Sequence, residues 1–298
     1  MGTVALPRPR QEAVPVPTRA GVRLRALPVH LVVLLICALW ITPTAGLLVS
    51  SFRPPNLVST TGWWTAFVPP FQFTLQNYQQ VLTANNMGQS FVNSLFVTIP
   101  ATVIPILVAG YAAYAFAWMS FPGRRVLLLV VVGLLVIPLQ MTFIPVLKGF
   151  TAIGITGTFL AIWLAHTGYG LPLAIYLLRS FFATLPREMF ESANIDGAGH
   201  LTIFFRLVLP TSVPALASLA IFQFLWVWND LLVALVYLGG RPTVAPLAVT
   251  LGNLVNSLGQ NWQLLTSAAF VSMALPLVVF FSLQRYFARG LLAGSVKG

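Results

Sequence analysis

The acid–base chemistry open to this chain rests on five acidic residues, three histidines and one cysteine. Glu188, Glu191 and Asp196 fall close together in one polar stretch, whereas Glu12 lies near the start and Asp230 in an apolar run. His30, His166 and His200 are far apart and none has metal-ligand spacing; Cys37 sits in an apolar run. Neither a disulfide framework nor a thiolate metal cluster follows from this. A hydrolase needs a carboxylate pair, a nucleophile–base pair or a metal, and His166 has no acidic partner in its own segment. The only lysines, Lys148 and Lys297, lie outside any G-x-x-x-x-G-K-[ST] sequence, so the chain cannot hydrolyse nucleotides by that route. No catalytic residue, metal or bound cofactor is expected.

The elements that carry these residues are set by composition. Hydrophobic residues make up 58% of the 298 and charged residues only 7%, with a mean hydropathy of +0.88. Soluble domains carry about 25% charged residues; this is the composition of a polytopic membrane protein. A helix crossing ~30 Å of hydrocarbon needs about 20 apolar residues. Six stretches qualify: Val29 to Ser51, Ser94 to Trp118, Val126 to Leu147, Thr158 to Leu178, Val213 to Leu238 and Ser267 to Phe287. The expected fold is all-α with six transmembrane helices. Residues 1–28 form a Pro- and Arg-rich tail expected to be disordered, 29–88 the first span and an outer loop, 89–287 the main body with a polar loop at about 180–211, and 288–298 a C-terminal tail. Prolines fall in most spans (Pro43, Pro100, Pro105, Pro138, Pro172 and Pro276), and the carbonyls they free can face a polar cavity.

The net charge of +11 does not indicate nucleic acid, because the basic residues lie between apolar runs instead of on one folded face. Thirteen of the sixteen Lys and Arg fall on one side of the six spans; Arg53, Lys148 and Arg241 fall on the other. That asymmetry places both termini in the cytoplasm.

In the loop, Thr184 and Pro186 are a plausible helix start, with a hydroxyl cap and proline in the first turn. Glu188 and Glu191 share a face at a spacing of three, and Gly197 and Gly199 permit a reversal. Leu201, Phe204, Phe205 and Val208 form a second apolar stretch ending at Pro210. A helix-turn-helix on the membrane surface is expected, with acids facing a basic partner and the apolar side on the spans. Asp230, inside a span, is a candidate for the substrate pathway, together with Asn229, Trp226 and Trp228, whose rings could stack on a sugar. Interfacial or helix-packing duty is the alternative for Asp230, near the outer end of its span, and interfacial anchoring the alternative for the tryptophans. On the outer side, Trp63 and Trp64 suit short interfacial helices, and Asn253, Asn256 and Gln260 suit the mouth of a docking protein.

Glu191-Ser192-Ala193, three residues, Gly197, nine residues and Leu207-Val208-Leu209-Pro210 resemble the EAA loop, E-A-A-x3-G-x9-I-x-L-P, of permease subunits of bacterial ABC importers. Ser192 and Leu207 depart from it mildly. Leu185-Pro186-Arg187-Glu188, Val213-Pro214-Ala215-Leu216-Ala217, Trp226-Val227-Trp228-Asn229-Asp230, Asn77-Tyr78 and Phe91-Val92-Asn93-Ser94 are similar to carbohydrate importers. The end, Gly290 to Gly298, resembles the tail of the second permease of maltose-type systems. The resemblance implies a type I ABC importer transmembrane domain in the cytoplasmic membrane of a prokaryote, moving a di- or oligosaccharide such as an α-glucoside by alternating access. It implies a second, different permease, two ATPase subunits that bind the ATP and Mg²⁺, and an extracytoplasmic sugar-binding protein. By resemblance, Glu188, Glu191, Ser192, Ala193, Asp196, Gly197 and Pro210 belong to the ATPase-coupling loop. Glu191 pairs with an ATPase arginine there, and Gly294 and Lys297 belong to a tail that docks on the ATPase. Two alternatives stay open: an ion-coupled secondary transporter, which needs a relay of ionisable residues inside the spans, and an ABC permease for a non-sugar solute.

Overall fold

The structure, a computed structural model, describes residues 19–84, 86–254 and 261–295, and the side chains of 28–83, 86–254 and 261–284. Among the described residues it is helical throughout, without strands. Helix α1 (Arg19–Ser51) is followed by two short helices, α2 (Pro55–Thr60) and α3 (Gln76–Ala84). The long α4 (Met87–Trp118) leads into α5 (Arg124–Leu134), α6 (Leu139–Ala152) and α7 (Phe159–Phe182). The polar loop forms α8 (Arg187–Ile195) and α9 (His200–Thr211). Helices α10 (Val213–Trp228), α11 (Leu232–Leu238), α12 (Leu247–Leu254) and α13 (Trp262–Ser295) complete the chain. Four helices are long and apolar enough to cross a membrane, and two bent pairs raise the number to six. The α4–α7 pair forms the centre, α10 packs on α4 and α13, and α1 leans on α13.

The expected spans need three corrections. Helix α1 begins at Arg19, inside the stretch read as a disordered tail; its Ala, Leu and Arg residues are good helix formers that extend the apolar run. Residues 1–18 lie outside the described residues, as do Asn256, Gln260 and Lys297. The third span is broken, with α5 and α6 meeting at 103°. Pro138 offers no N–H and clashes with the preceding turn, so α5 ends in tight bonds from Leu135, Val136 and Ile137 to carbonyls three residues back. The fifth span stops at Trp228 and resumes at Leu232, leaving Asp230 in the gap.

Most span prolines break nothing. Proline frees the carbonyl four residues before it, and a buried free carbonyl is costly without a donor. Pro100 frees Phe96 O, which accepts from Trp163 Nε1 at 2.7 Å. Pro105 frees Ala101 O, which accepts from Gln223 Nε2 at 3.1 Å. Pro276 frees Ser272 O, which accepts from Trp228 Nε1 at 3.1 Å. These three carbonyls join α4 to α7, α4 to α10 and α13 to α10. Gln223→Met should therefore lower the unfolding midpoint by orphaning Ala101 O, at a cost of about 1–3 kcal/mol. The loss should shrink when Pro105→Ala restores the helical donor, as a double-mutant cycle in thermal denaturation would show.

The end of the bundle remote from the polar loop is tied by side chains. Buried Arg53 donates to the carbonyls of Thr61 and Gly62 and to the hydroxyls of Thr61 and Thr65, fixing the segment after α2. Asn77 Nδ2 donates to Ser51 O and Arg53 O, each at 2.9 Å, and Tyr78 meets the Ser51 hydroxyl at 2.8 Å. Asn93 donates to Thr243 O and Ala245 O at 3.1 Å, and Ser94 Oγ accepts from Leu247 N at 2.8 Å. Two of the motifs singled out by resemblance are thus pins that hold the loops at this end.

Candidate functional site

The polar loop is built from the turn outward. Asp196 caps α8 and Gly197 takes φ +77°, a conformation glycine adopts without strain. Ala198 N donates to Ala193 O at 2.9 Å and Gly197 N to Asn194 O at 3.0 Å. These are the two bonds of a Schellman motif, with half-buried Ala193 and Ala198 on either side of the stop both packed against the buried cluster that contains Phe190. The spacing from Ala193 to Gly197 is therefore a helix stop: a small residue three positions inside the cap and glycine just beyond it.

The start of α8 differs from expectation. Pro186 is the cap itself, and the Thr184 hydroxyl donates to Phe181 O at 2.7 Å instead of capping. Glu188 stands in the first turn, where a carboxylate complements the helix dipole. The second helix also differs. Residues Phe204–Val208 form a π-helical turn ahead of Pro210, and the added residue shifts the register. Ile203, Phe204 and Val208 are buried, whereas Leu201 and Phe205 are turned outward. Helices α9 and α10 then meet at 76° across Ser212, between Pro210 and Pro214, neither of which can donate a helical bond.

Aromatic packing fastens the loop to the bundle. Buried Phe190 lies flat on Trp118 at the end of α4, with centroids 3.6 Å apart and planes 19° apart. Trp118 Nε1 donates to Phe182 O at 2.9 Å. Tyr114 of α4 meets His200 Nδ1 at 2.9 Å, and its ring packs on Phe204. The loop is thus packed on α4, the central helix.

The opposite face of the loop is open. Glu188, Glu191, Ser192, Asp196, Gly197 and Pro210 are exposed, and Ile195 is 86% exposed. Among the described residues none of these three carboxylates lies within 4.0 Å of a base.

Within the spans, the structure unites residues that the sequence leaves apart. Asp230 Oδ2 accepts from Ala234 N at 3.3 Å at the start of α11 and lies 3.7 Å from Nε2 of buried His166. His166 has no hydrogen-bond partner at either nitrogen, and its ring stands edge-on to Trp226, centroids 5.2 Å apart. Trp226 is 37% exposed and Asn229 is exposed. Trp228 is a correction: it is buried, covered by Phe224 and Phe91 and bonded to Ser272 O, so it has no face for a sugar. Gly294 falls in the last turn of α13.

The geometry is an acidic, apolar-studded loop clamped to the central helix of a membrane bundle. Comparison with known proteins matches residues 90–292 to the family of binding-protein-dependent transport system inner membrane components. The chain belongs to this family. The permease is 59% identical over 274 residues to the osmoprotective compounds uptake permease protein GgtD of Synechocystis sp., covering 91% of this chain and 92% of that protein. It is 45% identical to the alpha-glucoside transport system permease protein AglG of Rhizobium meliloti, covering 91% and 97%. A chain from a bacterial ABC transporter involved in import of the acidic polysaccharide alginate shares its fold, with a TM-score of 0.76, 21% identity and coverage of 92% and 100%. The permease is a membrane-embedded ABC transporter subunit that works with other ABC components.

Proposed function

We propose that the permease moves a neutral sugar, an α-glucoside or a compatible solute that carries one, across the cytoplasmic membrane by alternating access. It is the non-catalytic partner of an ATPase. ATP and Mg²⁺ bind two ATPase subunits, a second and different permease completes the pore, and an extracytoplasmic binding protein delivers the cargo. Both termini face the cytoplasm, in keeping with the thirteen-to-three division of basic residues. The observation that carries this reading is the exposed loop: Glu188 and Glu191, without an ion pair among the described residues, on the same loop as outward-facing Ile195, Leu201 and Phe205. An apolar patch ringed by unpaired charge is a surface for a basic partner. The names of the two relatives, one for osmoprotective compounds and one for alpha-glucosides, support the cargo class.

Purification of the tagged chain from its native membranes, with mass spectrometry of what accompanies it, tests the assembly. An ATPase and a second permease should be recovered. The chain alone, from membranes that contain those partners, would contradict the reading.

The cargo path passes Asp230, Asn229 and Trp226, the polar groups and open ring at the gap between α10 and α11. Asparagine also caps helices, so Asp230→Asn keeps the fold and removes only the charge. Uptake should fall about tenfold, the loss of one charged hydrogen bond to cargo. Unchanged uptake would assign the carboxylate to helix packing alone.

A further inference from the structure

Between the end of α4, the start of α5 and the end of α7 lies a cleft of about 600 Å³ lined by Arg124, Arg125 and Arg179 over Phe121, Val126 and Leu128. The three guanidinium groups share it without a carboxylate within 4.0 Å among the described residues. Arg124 Nη1 donates to Met119 O at 2.9 Å, which holds that side chain at the cleft wall. The Nε of half-buried Arg179 is shielded from solvent and has no acceptor. Arg124 and Arg125 also occupy the first turn of α5, where the helix pole is positive and no acidic residue offsets it. Arg179 approaches from the last turn of α7, and two like charges at a positive pole with a third beside them call for an anion.

We infer that the cleft holds the phosphate of an anionic membrane phospholipid. Arginine matches a phosphate's geometry with its planar fork, and basic pockets between helices at the cytoplasmic surface suit such headgroups. The apolar surroundings decide for a lipid over free phosphate. Val126, Leu129 and Val130 are 64%, 71% and 54% exposed, and α5 buries none of its residues. An apolar track therefore leads from the arginines along α5, the shape of a headgroup with its acyl chains. The inference rests on the loop end facing the cytoplasm and not on the cargo.

Native mass spectrometry of the full complex, exchanged into phosphatidylglycerol or phosphatidylcholine, tests it. The wild-type complex should keep phosphatidylglycerol in preference, and Arg124→Gln/Arg125→Gln/Arg179→Gln should lower its retention about tenfold or more. Arg125 is exposed, so Arg125→Gln alone leaves the fold untouched and should lower retention about threefold. Excess inorganic phosphate should leave the lipid in place; displacement by phosphate would make this a site for the free ion and overturn the lipid assignment. Equal retention by wild type and the triple variant would also overturn it. So would a partner's carboxylate seated on the arginines in a structure of the complex. The ATPase subunits co-purify in all these arms if the coupling reading holds, so the two ideas fail separately.

Discussion

Glu191→Lys is expected to reduce uptake roughly 100-fold or more while leaving the amount of protein in the membrane unchanged. Glu191 is exposed on α8 and bonded to no base among the described residues, so no ion pair among them depends on its charge. In the proposed coupling its partner is in the ATPase. A charge-assisted pair is worth about 1.5–3 kcal/mol, and reversal replaces attraction by repulsion across a closed interface, where breaking a pair costs about 3–5 kcal/mol. At 1.4 kcal/mol per factor of ten, the coupled step fails. Glu191→Gln keeps the shape and a hydrogen-bonding group, and should lose about tenfold. Normal uptake by the lysine variant at wild-type abundance would remove Glu191 from coupling.

Phe190→Ala is expected to separate ATP hydrolysis from transport. The Phe190 ring, flat on Trp118 at 3.6 Å, clamps α8 to the end of α4. Replacing a buried phenylalanine by alanine costs about 3–5 kcal/mol, and here the loss falls on the contact between loop and bundle. The exposed carboxylates still meet the ATPase, so the complex should assemble and hydrolyse ATP, but α8 moves without carrying α4. Uptake per ATP should fall at least about tenfold. Phe190→Leu, which refills most of the space, should recover much of it. Transport per ATP unchanged in the alanine variant, measured in proteoliposomes, would show that force passes elsewhere, with Tyr114 and His200 the next contact to test.

What could be read from the sequence was local. Apolar runs announce helices because a span needs length and hydropathy, and the Glu191–Ala193–Gly197 spacing announces a helix stop because both Schellman bonds close within six residues. Several of the misreadings turn on distant partners. Pro100, Pro105 and Pro276 look no different from Pro138 in sequence. The first three stay inside helices because Trp163, Gln223 and Trp228 reach their freed carbonyls, whereas the helix stops before Pro138. Trp228 could not be told from Trp226 for the same reason, since only packing reveals that Ser272 and Phe224 claim it. His166 and Asp230 meet only because the fifth span breaks between them and α11. Leu201 and Phe205 face outward while Phe204 and Val208 are buried beside a π-helical turn, and no residue type marks either.

The most direct measurement is uptake of a labelled α-glucoside into proteoliposomes that contain the purified complex, with the binding protein and sugar outside and ATP either present or absent inside. Accumulation that needs both ATP and the ATPase subunits, and that is indifferent to proton and sodium gradients, is the expected result. Uptake driven by an ion gradient, with the ATPase subunits left out, would contradict it and make the chain a secondary transporter.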